Sequence, residues 1–124
     1  MNSKEILGVL SANSNKKYEY FIKKVVDFEE IWGLYDDGWA PVEDNEGNPS
    51  FPIWPKKEFA ELYTKDGWES YEASSIDLYD FLELWIPGMK KDGYGVSIFW
   101  DNGSSIKVSL DKLVEDLNEE LENY

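Results

Sequence analysis

Apolar positions recur along this chain with two spacings, and each change of spacing marks an element. Ser3 to Leu10 predicts a short helix with Ser3 as its N-cap, closed by the polar break Ser11-Ala12-Asn13-Ser14. Tyr18, Phe21, Ile22, Val25 and Val26 then follow the i, i+3, i+4, i+7, i+8 rule of one buried helical stripe, capped by Asn15, with Lys16, Lys17, Lys23 and Lys24 largely on other faces. Ile31 to Tyr35 and Trp39 to Glu43 flank Asp36-Asp37-Gly38, a composition that predicts an antiparallel hairpin. Asp44-Asn45-Glu46-Gly47-Asn48-Pro49 is a second turn cluster, and Ser50 to Trp54 returns as a strand that Pro52 should keep short or at an edge.

Pro55 suits the first turn of a helix through Thr64, ended by Asp66-Gly67. Trp68 to Ser75 has no clear period and is expected to hold a turn and a short strand entering Ile76. Asp77 caps a helix whose stripe is Leu78, Phe81, Leu82 and Trp85, with Pro87-Gly88 expected to disrupt its end. Tyr94 to Trp100 and Ser104 to Val108 predict a second hairpin about Asp101-Asn102-Gly103. Ser109 caps a last helix with Leu110, Leu113, Val114, Leu117 and Leu121 on one face. Helices and hairpins interleave without regular β-α-β alternation. The expected architecture is a single α+β domain over residues 1–124, with a mainly antiparallel sheet built from two hairpin regions and about five helices packed against it.

Composition narrows the chemistry. A chain of 124 residues with 42% hydrophobic content, six Trp, eight Tyr and six Phe can bury one ordinary core despite its charge. The absence of Cys and His excludes disulfides, thiolate nucleophiles, a serine-histidine triad and an ordinary zinc centre. Twelve basic residues, every one Lys, stand against 26 acids for a net charge of -14, which opposes nucleic-acid binding at long range. No stretch approaches a membrane span, and Met1 to Leu10 carries charges where a signal peptide would be apolar, so the expectation is a cytoplasmic protein with no membrane and no nucleic-acid partner.

The charge is unevenly spread. Met1 to Lys24 holds five Lys against Glu5 and Glu19, whereas Val25 to Pro55 holds eight acids and no Lys. The sign reverses between them, marking the second segment as a solvated face or a surface offered to a partner.

Tyr18-Glu19-Tyr20-Phe21-Ile22-Lys23-Lys24-Val25, Ile31-Trp32-Gly33-Leu34, Asp37-Gly38-Trp39-Ala40 and Pro52-Ile53-Trp54-Pro55 form an ordered set. Phe59-Ala60, Trp68, Ile76-Asp77-Leu78, Phe81-Leu82, Trp85-Ile86-Pro87-Gly88-Met89 and Asp92-Gly93 continue it. In this order the chain resembles, over about residues 16–100, the bacterial family of domains of unknown function 2750. The resemblance implies a small, single-domain cytosolic bacterial protein and carries over no catalytic residue.

Among candidate chemistries, exposed indoles stack on sugars, bases or cations. Trp32 and Trp85 fit core positions, whereas Trp39 and Trp54, beside turns and prolines, are expected at the mouth of a cleft. Asp36-Asp37 and Glu29-Glu30 are adjacent pairs, but extended or turn backbone points neighbours apart, against the convergence that glycoside hydrolysis needs. The Asp44 to Asn48 cluster lacks EF-hand spacing. Ser74-Ser75 and Ser104-Ser105 have no evident base, and Gly93 to Gly95 is not a phosphate loop. No cofactor, metal or catalytic residue is expected.

The leading expectation is therefore a noncatalytic acidic interaction module binding a basic protein partner through Asp36, Asp37, Trp39, Glu43, Asp44 and Trp54. One version is an immunity-like or inhibitor-like protein covering a cationic effector. The alternative is a small-molecule-binding domain or carboxylate-dependent enzyme with a Trp-lined cleft, and a third is a homo-oligomer joined through a sheet edge or aromatic patch.

Overall fold

The computed structural model describes residues 2–44, 46–65, 67–101 and 104–123. The turn assignments at Asn45, Asp66 and Asn102-Gly103 lie outside the described residues. Helix α1 (Ser3–Leu10) is capped by Asn2, whose Oδ1 accepts the Glu5 N–H at 2.8 Å. Helix α2 (Ser14–Phe28) is capped by Asn13, whose Oδ1 accepts the Lys16 N–H at 2.9 Å. Both caps lie one or two residues before Ser3 and Asn15. The amide side chains win because each sits three residues ahead of an orphan N–H in extended backbone.

Strand β1 (Glu30–Tyr35) leaves α2 through Glu29, held in the left-handed region at φ 56°. The Asp36-Asp37-Gly38 turn forms as expected: the Asp36 N–H donates to the Gly38 carbonyl and the Ala40 N–H to the Leu34 carbonyl. The hairpin does not continue. β1 pairs antiparallel with β4 (Glu72–Asp77), the segment with no readable period, and β2 (Val42–Glu43) pairs with β3 (Pro49–Ile53) instead. Past the single bridge between Tyr35 and Trp39, Pro41 interrupts the run, so strand ends that fold beside one another separate and find other partners.

β3 is a short strand of five residues, one of the two outcomes expected from Pro52, but it lies inside the sheet and not at an edge. It runs parallel to β5 (Gly95–Ile98), and β5 pairs antiparallel with β6 (Ile106–Lys107), giving the order β2-β3-β5-β6. Trp54 exchanges both backbone hydrogen bonds with Trp32 at 2.9 Å, so β1 continues where β2 has ended. Alternate residues of a strand bond to opposite sides, which puts the N–H that Pro52 lacks on the side between the last β2 pair at Ser50 and the β1 bridge at Trp54. The proline therefore sits in a gap in the ladder.

Helix α3 (Lys57–Glu61) is shorter than the expected run to Thr64. Helix α4 opens at Leu78–Asp80 with Asp77 as its cap, widens into a π-helical turn at Phe81–Trp85, and resumes at Ile86–Asp92. Pro87 does not end it, contrary to expectation. The wide turn, in which the Ile86 N–H donates to the Phe81 carbonyl, directly precedes the residue that has no N–H to give, and the helix closes only at Gly93, φ 77°. Ser109 caps the last helix, α5 (Leu110–Glu122), as its spacing predicts. α2 and α5 pack together, tied by the Tyr18 hydroxyl donating to Asp116 at 2.6 Å.

The core joins α2 (Phe21, Val25), β1 (Ile31, Leu34), β3 (Ile53) with Trp54 just after it, α4 (Leu78, Phe81), β5 (Ile98) and α5 (Leu113, Leu117), all essentially excluded from water. Ser50 and Ser97 are equally buried and satisfy one another through hydroxyls 2.7 Å apart. Phe99 takes φ 55°, rare for a bulky residue, and the kink lets consecutive rings both turn inward: Phe99 meets Phe59 at 5.2 Å and Trp100 meets Trp54 at 6.4 Å. The helices and the mixed, largely antiparallel pairing make this an α+β fold.

Candidate functional site: an acid-rimmed aromatic groove

Strand alternation sends Gly33 and Tyr35 to one face of β1, and Phe51 to the face of β3 opposite Trp54. The turn after β1 folds Trp39 back over Gly33. A Cβ at residue 33 would lie 3.3 Å from the Trp39 ring, so the indole occupies the space a side chain would need. The π-turn of α4 delivers Trp85, and Tyr94 follows directly on Gly93.

These rings touch in series. Tyr35 meets Trp39 at 5.1 Å and Trp39 meets Trp85 at 5.2 Å, both edge to face. Phe51 meets Trp85 edge to face at 5.4 Å and stacks on Tyr94 at 5.0 Å. Tyr35 is exposed and the other four are half-buried, so the row is a surface feature. Leu84 projects beside it, 67% exposed. Two open depressions flank Tyr94: one of about 440 Å³ is lined by Phe51, Leu84, Trp85, Met89 and Asp92, the other of about 390 Å³ by Pro41, Val42, Glu43 and Pro49.

Carboxylates rim the row. Asp36 and Asp37 follow Tyr35 directly, and Glu43 and Asp92 line the depressions. Among the described residues none of these four is in an ion pair, while Lys90 on the same helix turns to Asp111. Among the described residues no group of three or more acids converges as a cation site.

A scan against protein families matches residues 18–117 to the protein of unknown function family DUF2750. The chain belongs to this family. DUF2750 membership spans α2 to α5 and hence every residue of the groove, with α1 outside it. A search of curated proteins finds no match to the chain.

Of the six residues named from sequence for partner binding, Asp36, Asp37, Trp39 and Glu43 lie along the DUF2750 groove. Trp54 does not. It is fully buried, stacked on Tyr63 at 5.6 Å and met by Trp100 at 6.4 Å, which corrects its expected place at a cleft mouth: rings from later in the chain cover it. Trp85, expected in the core, packs against it, stacked on Phe81 at 6.3 Å, and its open side joins the ring row. Asp44 is also engaged inside the fold, its Oδ1 accepting the Asn48 and Glu46 N–H groups at 2.9 Å and its Oδ2 lying 3.3 Å from Lys107. The Asn48 backbone bond first, then those from Glu46 and Lys107, hold its carboxyl below the usual range. It organises the β2–β3 loop, a role signalled by an Asp three residues ahead of Gly47.

Tyr35, Phe51, Tyr94, Asp92 and Leu84 were not legible as site residues. Leu84 alone carried a local signal, as a large apolar residue off the stripe of its own helix. The other four converge only through contacts between distant elements.

Proposed function

We propose that this DUF2750 protein is a noncatalytic interaction module of the cytoplasm that binds a basic protein partner along the aromatic groove. The observation that carries the reading is the row of five rings from Tyr35 to Tyr94, bordered by four carboxylates that no lysine neutralises among the described residues. Rings of this kind anchor partners, because Trp and Tyr bury large area with few rotors to freeze. Unpaired carboxylates at the rim, on a chain of net charge -14, steer a cationic surface inward and repel acidic ones. An inhibitor-like role, covering a cationic effector, fits the same surface.

The test uses association kinetics with a basic protein captured on the chain at low salt. Replacing Asp36 and Asp37 with Asn, Glu43 with Gln and Asp92 with Asn should slow association about tenfold, with the difference collapsing near ~0.5 M salt where screening reaches a few ångströms. Unchanged kinetics in the quadruple variant overturn the reading. Asp44 is left intact because its loss would disturb the loop that carries Glu43.

A further inference from the structure

The hydrogen-bonding character of the groove specifies its occupant further than charge does. Trp39 Nε1, Trp85 Nε1 and the Tyr35 and Tyr94 hydroxyls donate to no protein acceptor among the described residues. Among those residues the buried side-chain polar atoms without a partner are Tyr20 Oη and Trp54 Nε1, so the two groove indoles are not sealed off. The groove thus pairs apolar ring faces with N–H and O–H donors, and its named side-chain acceptors besides the tyrosine hydroxyls are the rim carboxylates.

We infer that the groove takes an extended, proline-containing segment in the polyproline II conformation, flanked by lysine or arginine. This rests on the acidic-module reading above and names the partner's form. An α-helix spends its carbonyls on its own N–H groups and would leave the groove donors unused. Strand addition needs a ladder of free backbone groups, and β2, the strand nearest the groove rim, is two residues long. A polyproline II segment leaves every carbonyl free, brings flat pyrrolidine rings to lie on aromatic faces, and has no proline N–H that needs an acceptor. Its stiffness also limits the entropy lost on binding.

The dimensions agree. Steps of 5.0 to 5.4 Å between successive rings give a contour of at most about 21 Å, spanned by six or seven residues at about 3.1 Å each. Cationic flanks suit both ends: Glu43 and Asp92 line the depressions beside Tyr94, and the exposed Asp36 and Asp37 sit in the turn between Tyr35 and Trp39.

The experiment titrates the full chain, observed through its indole N–H resonances and Trp fluorescence, with three synthetic peptides: a Lys-flanked run of about six prolines, a Lys-flanked helix-forming peptide of equal charge, and a Glu-flanked proline run. Tightest binding is expected for the Lys-flanked prolines, with the Trp39 and Trp85 indole resonances moving and that of Trp54 still. Trp39→Phe and Trp85→Phe, which keep a ring and remove the donor, should each weaken that binding about three- to tenfold. If the basic helical peptide binds as tightly, or both Phe variants bind unchanged, the polyproline assignment is overturned and the acidic-module reading stands. If no peptide moves the indoles, the assignment also falls, and the module reading is decided by the association kinetics alone.

Discussion

Two clusters of aromatic rings, built from the same residue types, meet the β3 segment at Trp54, just past its end, and at Phe51 within it. In the inner one Trp54 stacks on Tyr63, and Trp100 bridges Trp54, Tyr63 and Trp68 at 5.5 to 6.4 Å. In the outer one the rings from Tyr35 to Tyr94 touch at comparable distances yet leave one side open. Ring chemistry does not distinguish them; what covers them does. The inner cluster has Trp54 and Trp100 buried beneath the half-buried Tyr63 and Trp68, whereas no ring of the outer one is buried outright. One aromatic set is sealed at its centre, and the other is the surface that our proposal assigns to recognition.

Truncation should separate the clusters most sharply. Trp54→Ala is expected to destabilise the chain by about 3–5 kcal/mol in urea unfolding, as for any large ring removed from a sealed site. Trp85→Ala should cost about half that, since part of its surface already meets water. Equal losses would erase the distinction. A smaller effect is expected at Gly33→Ala: the new Cβ, 3.3 Å from the Trp39 ring, should cost about 1 kcal/mol and shift the Trp39 indole resonance while leaving that of Trp54 in place.

The acids divide in the same way. With its carboxyl held below the usual range chiefly by the Asn48 N–H, Asp44 contributes stability that is present above its unfolded value of 3.8 and is lost as pH falls through the lower folded value. A comparison of urea midpoints against pH should show Asp44→Asn less stable than the native chain at neutrality, with the gap closing below pH 3.8. The combined Asp36→Asn, Asp37→Asn and Glu43→Gln variant is expected to change stability least, by no more than about 0.5 kcal/mol at neutral pH, because all three residues are exposed and their carboxylates are in no ion pair among the described residues. A larger destabilisation would make the rim structural and remove the contrast with Asp44.

Local signals were legible where the chain acts locally. The α2 and α5 stripes, the caps Asp77 and Ser109, the Asp36-Asp37-Gly38 turn and the strand after Pro49 all form where periodicity and turn chemistry put them. Pairing was not legible in the same way. The β1–β4 ladder joins segments some forty residues apart, and the parallel β3–β5 pair has no hairpin to announce it. Pro87 inside α4 was misread because the π-turn that accommodates it has no propensity signature.

Residue order alone was enough for the α+β class, the family, the net charge, the exclusion of thiol and imidazole chemistry, and the acidic segment around Asp36, Asp37 and Glu43. Those properties depend on composition, short spacings and residue order, which need no knowledge of distant neighbours. Only the tertiary structure decided which tryptophans face water. It sealed Trp54, left Trp85 packed on the core with one side open to water, and withdrew Asp44 from the surface into its loop. Exposure belongs to no residue alone: a ring three positions from another on one strand is buried or open according to what folds over each face, and that cover arrives from elsewhere in the chain.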